Sequence, residues 1–154
     1  MYLDQMTNHQ TIIDIKPSFS ELAIYHYLSE AKKFYPNFDL WYFTNVLPSL
    51  LRKEKQILTI KDEKNLKGVA IVKNTPEEKK ICTLRVIEKY QNRGIGIKLF
   101  EKSFEALQTR TPLLSVSEEK YPDFKKIFDY YGFKLTSIKK DYYRIGIQEY
   151  FFNE

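Results

Sequence analysis

Apolar residues recur along this chain in two rhythms, every second position in some stretches and every third or fourth in others, the periods of strands and helices. Thr11 to Ile15 is a short β-branched run stopped by Lys16-Pro17, which predicts a strand. Ser18-Phe19-Ser20-Glu21 has the spacing of a capping box, and Ile24, Leu28, Ala31 and Phe34 follow at helical intervals. Phe34-Tyr35-Pro36-Asn37-Phe38 breaks that helix, and Asp39 is placed to cap a second one. Along this second helix Leu40, Phe43, Leu47, Leu50 and Leu51 make one apolar stripe, which Pro48 is expected to kink or end early.

A hairpin comes next, Gln56 to Ile60 and Gly68 to Lys73 around a polar turn, and then a strand from Ile81 to Val86. A glycine-containing loop leads into a helix from about Gly94 to Leu107, with Ile95, Leu99, Ser103 and Leu107 on one side. Leu113 to Ser117 reads as a strand and Asp123 to Tyr131 as an amphipathic helix ended by Gly132. Strands near Phe133 to Ile138 and Tyr142 to Phe151 follow. The order β α α β β β α β α β β, with no repeat and no linker, predicts a single domain over residues 1–154. Its class is α/β (α+β), a mixed sheet with helices on its faces.

Composition narrows the class. The chain has 154 residues, 43% hydrophobic and 16% aromatic, with only 5 Gly and 6 Pro, enough apolar material for one core. Cys82 is the lone cysteine, which excludes an internal disulfide framework and suits a reducing, cytoplasmic setting. Cys82 alternates with Leu84 and Val86 and reads as a buried thiol. His9 and His26 are isolated, so no metal site is expected. The first ten residues show no secretory signal, and the longest uncharged run, Leu40 to Leu51, has 12 residues and is too short to cross a bilayer. A net charge of +5 favours anionic ligands, but basic and acidic residues are interleaved, which implies no basic tail.

The segment Gln91-Asn92-Arg93-Gly94-Ile95-Gly96 stands between a strand and a helix. A diphosphate needs converging backbone N–H groups and the positive end of a helix dipole, and two glycines keep side chains out of its way. Arg93 adds a cation. A Walker A loop has no match here. A dinucleotide fingerprint would need glycine at Leu99 and a first glycine directly after the strand, whereas Gly94 comes eight positions after Val86.

Leu84-Arg85-Val86, Tyr90-Gln91-Asn92-Arg93-Gly94-Ile95-Gly96 and Leu99-Phe100 together resemble the central motif of the GCN5-related N-acetyltransferase (GNAT) family. Leu113 to Val116 and the helix ending Tyr130-Tyr131-Gly132-Phe133 resemble the family's next motif. The resemblance implies a mostly antiparallel central sheet of about seven strands with a splayed parallel pair, flanked by about four helices. It implies acetyl-CoA (coenzyme A) as cofactor, its pyrophosphate on the amides of Gln91, Asn92, Arg93, Gly94, Ile95, Gly96 and Ile97. The pantetheine arm would pair with the main chain of Leu84, Arg85 and Val86, like an added strand. An amine would attack the acyl carbonyl directly, with no covalent enzyme intermediate.

The chain departs from the family at Phe128, which lies against the cofactor site where a general-acid tyrosine is usual, while Tyr121 stands where an asparagine is common. Proton transfer would then fall to Tyr131 or Tyr121, with Glu118 (and its neighbour Glu119) as the candidate base. The acceptor site would be walled by Phe38, Trp41 and Tyr42, with Asp39 either a counter-ion or a helix cap. The partner expected is a small-molecule or protein amine, with no membrane, nucleic acid a weaker candidate, and a homodimer allowed. Phe128 keeps open a non-catalytic module of the same fold. The basic charge permits a transferase acting on charged tRNA, as some toxins of the family do.

Overall fold

The computed structural model describes residues 19–154. The strand expected at Thr11 to Ile15, and Ser18 of the capping box, lie outside the described residues. Helix α1 (Phe19–Leu28) runs into a 3-10 segment, Ser29–Lys33. A composite helix follows: α2 (Phe38–Trp41), a π-helical segment Tyr42–Val46, and α3 (Leu47–Leu51). Then come β1 (Lys55–Lys61), β2 (Leu66–Asn74), β3 (Lys79–Val86), a 3-10 turn Glu88–Tyr90, α4 (Ile95–Leu107), β4 (Leu114–Ser117), α5 (Tyr121–Tyr131), β5 (Leu135–Lys140) and β6 (Gln148–Phe152). From α1 onward this is the order predicted from the sequence.

The sheet is not the single seven-stranded one expected. Two three-stranded antiparallel sheets form, ordered β1-β2-β3 and β4-β6-β5. They meet through one parallel bridge, Lys80 with Leu113. There the Leu113 N–H donates to the Lys79 carbonyl at 2.8 Å and the Ile81 N–H to the Leu113 carbonyl at 2.9 Å. Beyond that bridge β3 and β4 share no ladder among the described residues. The splayed parallel pair is therefore present, as one hinge point between two sheets.

Two apolar layers cover the sheets. On one side Leu99, Phe100, Phe104 and Leu107 of α4 and Phe128 of α5 pack on Ala70, Leu84, Leu114, Val116 and Phe152. On the other, Ile24, Leu28, Phe38, Trp41, Tyr42 and Val46 pack on Val69, Ile71 and Cys82. The Cys82 side chain is buried, as read from its alternation.

The composite helix corrects two expectations. Pro48 lies inside it but does not end it, and the stripe is only partly the buried side. Proline removes the N–H that would bond the carbonyl four residues back and crowds that carbonyl. The widened π turn just before it, in which the Leu47 N–H reaches the Tyr42 carbonyl, takes up that mismatch and lets the helix run on to Leu51. The buried residues are then Phe38, Trp41, Tyr42, Asn45, Val46, Leu47, Pro48 and Ser49; of the predicted stripe Leu47 is buried, while Leu40 and Leu51 are 52% and 67% exposed. Nor is Asp39 the helix cap. Asn37 holds that position, and Asp39 accepts a hydrogen bond from the Tyr25 hydroxyl at 2.5 Å and pairs with Lys32 at 3.0 Å.

Candidate functional site

Past the Lys80–Leu113 bridge the two sheets diverge, and a cleft of about 730 Å³ opens between them. The end of β3 walls it with Thr83, Leu84, Arg85 and Val86, the start of α4 with Gly94, Ile95, Gly96 and Ile97, and α5 with Phe124 and Ile127. One edge of β3 is already paired with β2, Thr83 opposite Ile71 and Val86 opposite Gly68. Its other edge faces the cleft, so main-chain groups there are free to meet an extended ligand.

The loop at the mouth is built for an anion. Asn92 and Gly94 both take left-handed backbone, φ 60° and 79°, turning successive N–H groups toward one side. Gln91 donates from its side-chain amide to the Val86 carbonyl at 3.3 Å, tying the loop to the end of β3. Gly94 is the N-cap of α4, and no side chain caps its first turn. Those first N–H groups lack helical partners, and the helix dipole adds partial positive charge. Arg93 is exposed beside them.

Gly96 tests the fit. A Cβ there would lie 3.7 Å from Ile127 Cδ1 and 3.8 Å from Val86 Cγ2, ordinary contact distances. The fold itself tolerates a side chain at 96, yet that side chain would stand between β3 and α5. Glycine there keeps the passage open. The cleft therefore fits a long, anionic, pantetheine-like group in shape, in main-chain donors and in the missing side chain.

The Leu84 side chain points into the core, so only its main chain is available to the cleft, and several other candidate side chains lie away from it. Arg85 crosses to α1, pairing with Glu30 at 2.7 Å and donating to the Tyr27 carbonyl. Phe128 is 1% exposed, enclosed by Phe100, Tyr121, Phe124, Phe133 and Phe152, and does not reach the cleft. Tyr131 faces the outer side of α4. Its hydroxyl donates to Glu101 at 3.0 Å, and burial, aided by Glu101, pushes its pKa up to about 12. Tyr121 packs on Tyr150 and Phe152. Glu118 accepts the Gln148 N–H at 3.0 Å, and Glu119 is held by Arg144 at 2.9 Å. None of Tyr131, Tyr121 and Glu118 lines the cleft. The acceptor wall fails too: Phe38, Trp41 and Tyr42 are core residues with no surface for a ligand, and the Tyr42 hydroxyl donates to the Glu21 carbonyl.

One polar group escaped the sequence reading. Glu149 of β6 is 3% exposed, and its Oε1 accepts from Ser115 at 2.7 Å and from the Tyr35 hydroxyl at 3.2 Å. Burial pushes its pKa up to about 7, against the opposing pull of those hydrogen bonds and of Arg144. Burial, with Glu149 beside it, also raises the pKa of Tyr35 well above its usual value. Tyr35 lines the cleft. A signal is present in the alternation of Glu149 with Phe151, which puts a carboxylate in phase with a buried apolar residue of the strand. Among the described residues no cluster of His, Cys, Asp or Glu could hold a metal ion, and no helix is long and apolar enough to cross a membrane.

Comparisons with known proteins agree with this geometry. The sequence pattern of the acetyltransferase (GNAT) domain matches residues 24–149. A GNAT-family protein from Desulfovibrio desulfuricans superposes with a TM-score of 0.69 at 17% identity, over 86% of this chain and 89% of that one. The ribosomal-protein-S18-alanine N-acetyltransferase of Escherichia coli gives 0.68 at 17% identity, over 89% and 88%. A GNAT-family acetyltransferase from Elizabethkingia anophelis, solved with acetyl-CoA bound, gives 0.55 at 16% identity, over 70% and 80%. No curated protein sequence matches the chain. With the domain pattern covering most of its length and a splayed cleft opening onto an uncapped helix start, this chain belongs to the GNAT acetyltransferase family.

Proposed function

We propose that the protein is an acetyl-CoA-dependent N-acetyltransferase that acylates a primary amine by direct attack on the thioester. The observation that carries this is the cleft itself: a strand edge left unpaired by the single Lys80–Leu113 bridge, leading to the amides of residues 94–97 past a glycine that packing does not require. Acetyl-CoA supplies the activated acyl group. The chain supplies position: β3 edge groups orient the pantetheine arm, the α4 amides hold the pyrophosphate, and Phe124 and Ile127 exclude water from one wall.

The acceptor enters from the side of α1, where Leu28, Ala31, Phe34 and Tyr35 line the same cleft. Phe128 favours a second reading, a module that binds the cofactor without turnover, because the family's usual acid position is sealed in rings.

Calorimetric titration with acetyl-CoA tests the first step. Wild type is expected to bind saturably. Gly96→Val is expected to weaken binding at least ~10-fold while melting within about 2 °C of wild type, because its Cβ meets only ordinary contacts. A variant that binds as well as wild type refutes the cleft assignment. Thiol release in the presence of an amine separates enzyme from module.

A further inference from the structure

A buried polar cluster lies on the α1 side of the second sheet, where the ring of Tyr35 belongs to the apolar layer and its hydroxyl reaches Glu149. Strand alternation explains its position. On β4, Leu114 and Val116 point to the α4–α5 layer, so Ser115 and Ser117 point the other way. Glu149 lies directly opposite Ser117 on β6, on that same face. The Ser117 Oγ is buried and finds no hydrogen-bond partner among the described residues. Tyr35 joins the two regions: it lines the cleft, and its hydroxyl donates to Glu149.

A hydroxyl that donates to a carboxylate keeps its own lone pairs for another donor. A buried carboxylate fed by two hydroxyls, with an unpartnered serine beside it, is a costly arrangement for stability alone. We infer that Tyr35 is the catalytic group that accepts the proton of the acceptor ammonium, and that Glu149 takes the Tyr35 proton and so serves as the base behind it. This rests on the acetyltransferase reading above.

The balance is simple. One ammonium proton passes to the Tyr35 oxygen as the Tyr35 proton passes to Glu149. The free amine then forms a C–N bond to the acyl carbon, and the C–S bond breaks with its electron pair on sulfur. The second nitrogen proton ends on the thiolate, and Glu149 later returns its proton to water.

Among the described residues, the charged and titratable groups facing Glu149 are Tyr35, Tyr143, Lys139 and Arg144. Tyr35 comes from the connection after the 3-10 segment, and Tyr143 sits edge-on against it at 5.0 Å. Lys139 is opposite on β5, its ammonium over the Phe151 ring at 4.3 Å. Arg144 lies near by but is paired with Glu119 at 2.9 Å. None of these makes a hydrogen bond to Glu149 other than Tyr35, which leaves the carboxylate a proton acceptor in the neutral range.

The test compares wild type, Glu149→Gln and Tyr35→Phe, with 1-propylamine and water as acceptors and thiol release from acetyl-CoA as readout. Glu149→Gln is expected to slow release by ~100-fold or more, as loss of a general base does. The wild-type to variant rate ratio, which cancels the ionisation of the amine, is expected to rise with pH through a midpoint near about 7. Tyr35→Phe is expected to lose the same limb, with acetyl-CoA affinity and melting kept as folding controls. Infrared titration of the carboxyl, isotope-labelled at Glu, is expected to show one group near the same midpoint that Glu149→Gln deletes.

A flat rate ratio, or no such carboxyl, overturns the inference. So does a wild type that binds acetyl-CoA and releases no thiol at any pH. Failure to bind acetyl-CoA is a different result and sinks the enzyme reading instead, since the carboxyl titration does not depend on it.

Discussion

Glu149→Gln should also change how stability depends on pH, whatever the protein catalyses. In the unfolded chain this carboxyl titrates at its ordinary value of 4.5, and in the fold burial raises it to about 7. Between those values the folded state holds the proton more tightly than the unfolded state. Stability is therefore fully present below the lower value and falls as pH rises toward the upper one. The shift of 7 − 4.5, about 2.5 units at ~1.4 kcal/mol each, makes that loss on the order of 3 kcal/mol. Glutamine keeps the shape and an oxygen able to accept from Ser115 and Tyr35. The variant should thus match wild type near about pH 5 and exceed it by up to ~3 kcal/mol near about pH 8, less whatever the charged hydrogen bonds contributed. That corresponds to roughly 6–12 °C in melting temperature for a domain of this size.

Lys80 contributes the opposite slope, because burial lowers its pKa to about 8 and the unfolded chain then holds more protons at alkaline pH. Its window lies above that of Glu149, and it cancels in the difference between variant and wild type. The assay is chemical unfolding of both proteins across this range. Parallel stability curves would show that Glu149 is ionised in the fold, and the account of its burial would be wrong.

Two more substitutions probe the frame around the cleft. Gly68→Ala would put a Cβ 2.8 Å from Ile95 Cγ2 and Leu99 Cδ1 and 3.3 Å from the Arg85 carbonyl, so the Ile95 and Leu99 side chains, or the part of α4 that carries them, must shift. A loss of ~1–3 kcal/mol in unfolding experiments is expected, together with weaker acetyl-CoA binding, and an unchanged melting curve would contradict it. Trp41→Ala should cost about 3–5 kcal/mol, because the ring is 1% exposed in the core beneath α2. A Trp41 that lined an acceptor site would instead leave melting nearly unchanged and raise the KM for the amine.

How much of this was legible depended on whether one local signal dominated. Ile95, Leu99, Ser103 and Leu107 lie at clean helical spacing, and all four are buried. The β1–β2–β3 meander was readable because polar turns bracket β-rich runs. In the second helix apolar residues fall in more than one phase: Leu47 of the expected stripe is buried beside Trp41 and Val46, Leu40 and Leu51 are exposed, and tertiary packing of the larger rings against Val69 and Ile71 decides. The π turn before Pro48 has no local marker beyond the proline itself. The break between the two sheets could not be read either, since strand patterns describe faces and say nothing about where neighbouring edges part.

The acid position is a related case: family likeness points to position 128 on α5, and α5 packs on the face of the second sheet that Leu114, Val116 and Phe152 make apolar. A tyrosine hydroxyl at 128 would enter a cage of five rings, so the phenylalanine is the residue that this packing asks for. With period two along β4 and β6, whatever polar chemistry the sheet carries must then fall on the opposite face. Ser115, Ser117 and Glu149 stand there, and Tyr35 connects them to the cleft. Phe128 bears on the acid that would protonate the thiolate, whereas the proposed base, Tyr35 backed by Glu149, serves the acceptor on the α1 side. The two roles are separate, and thiol release with an amine is what distinguishes an enzyme from a binding module.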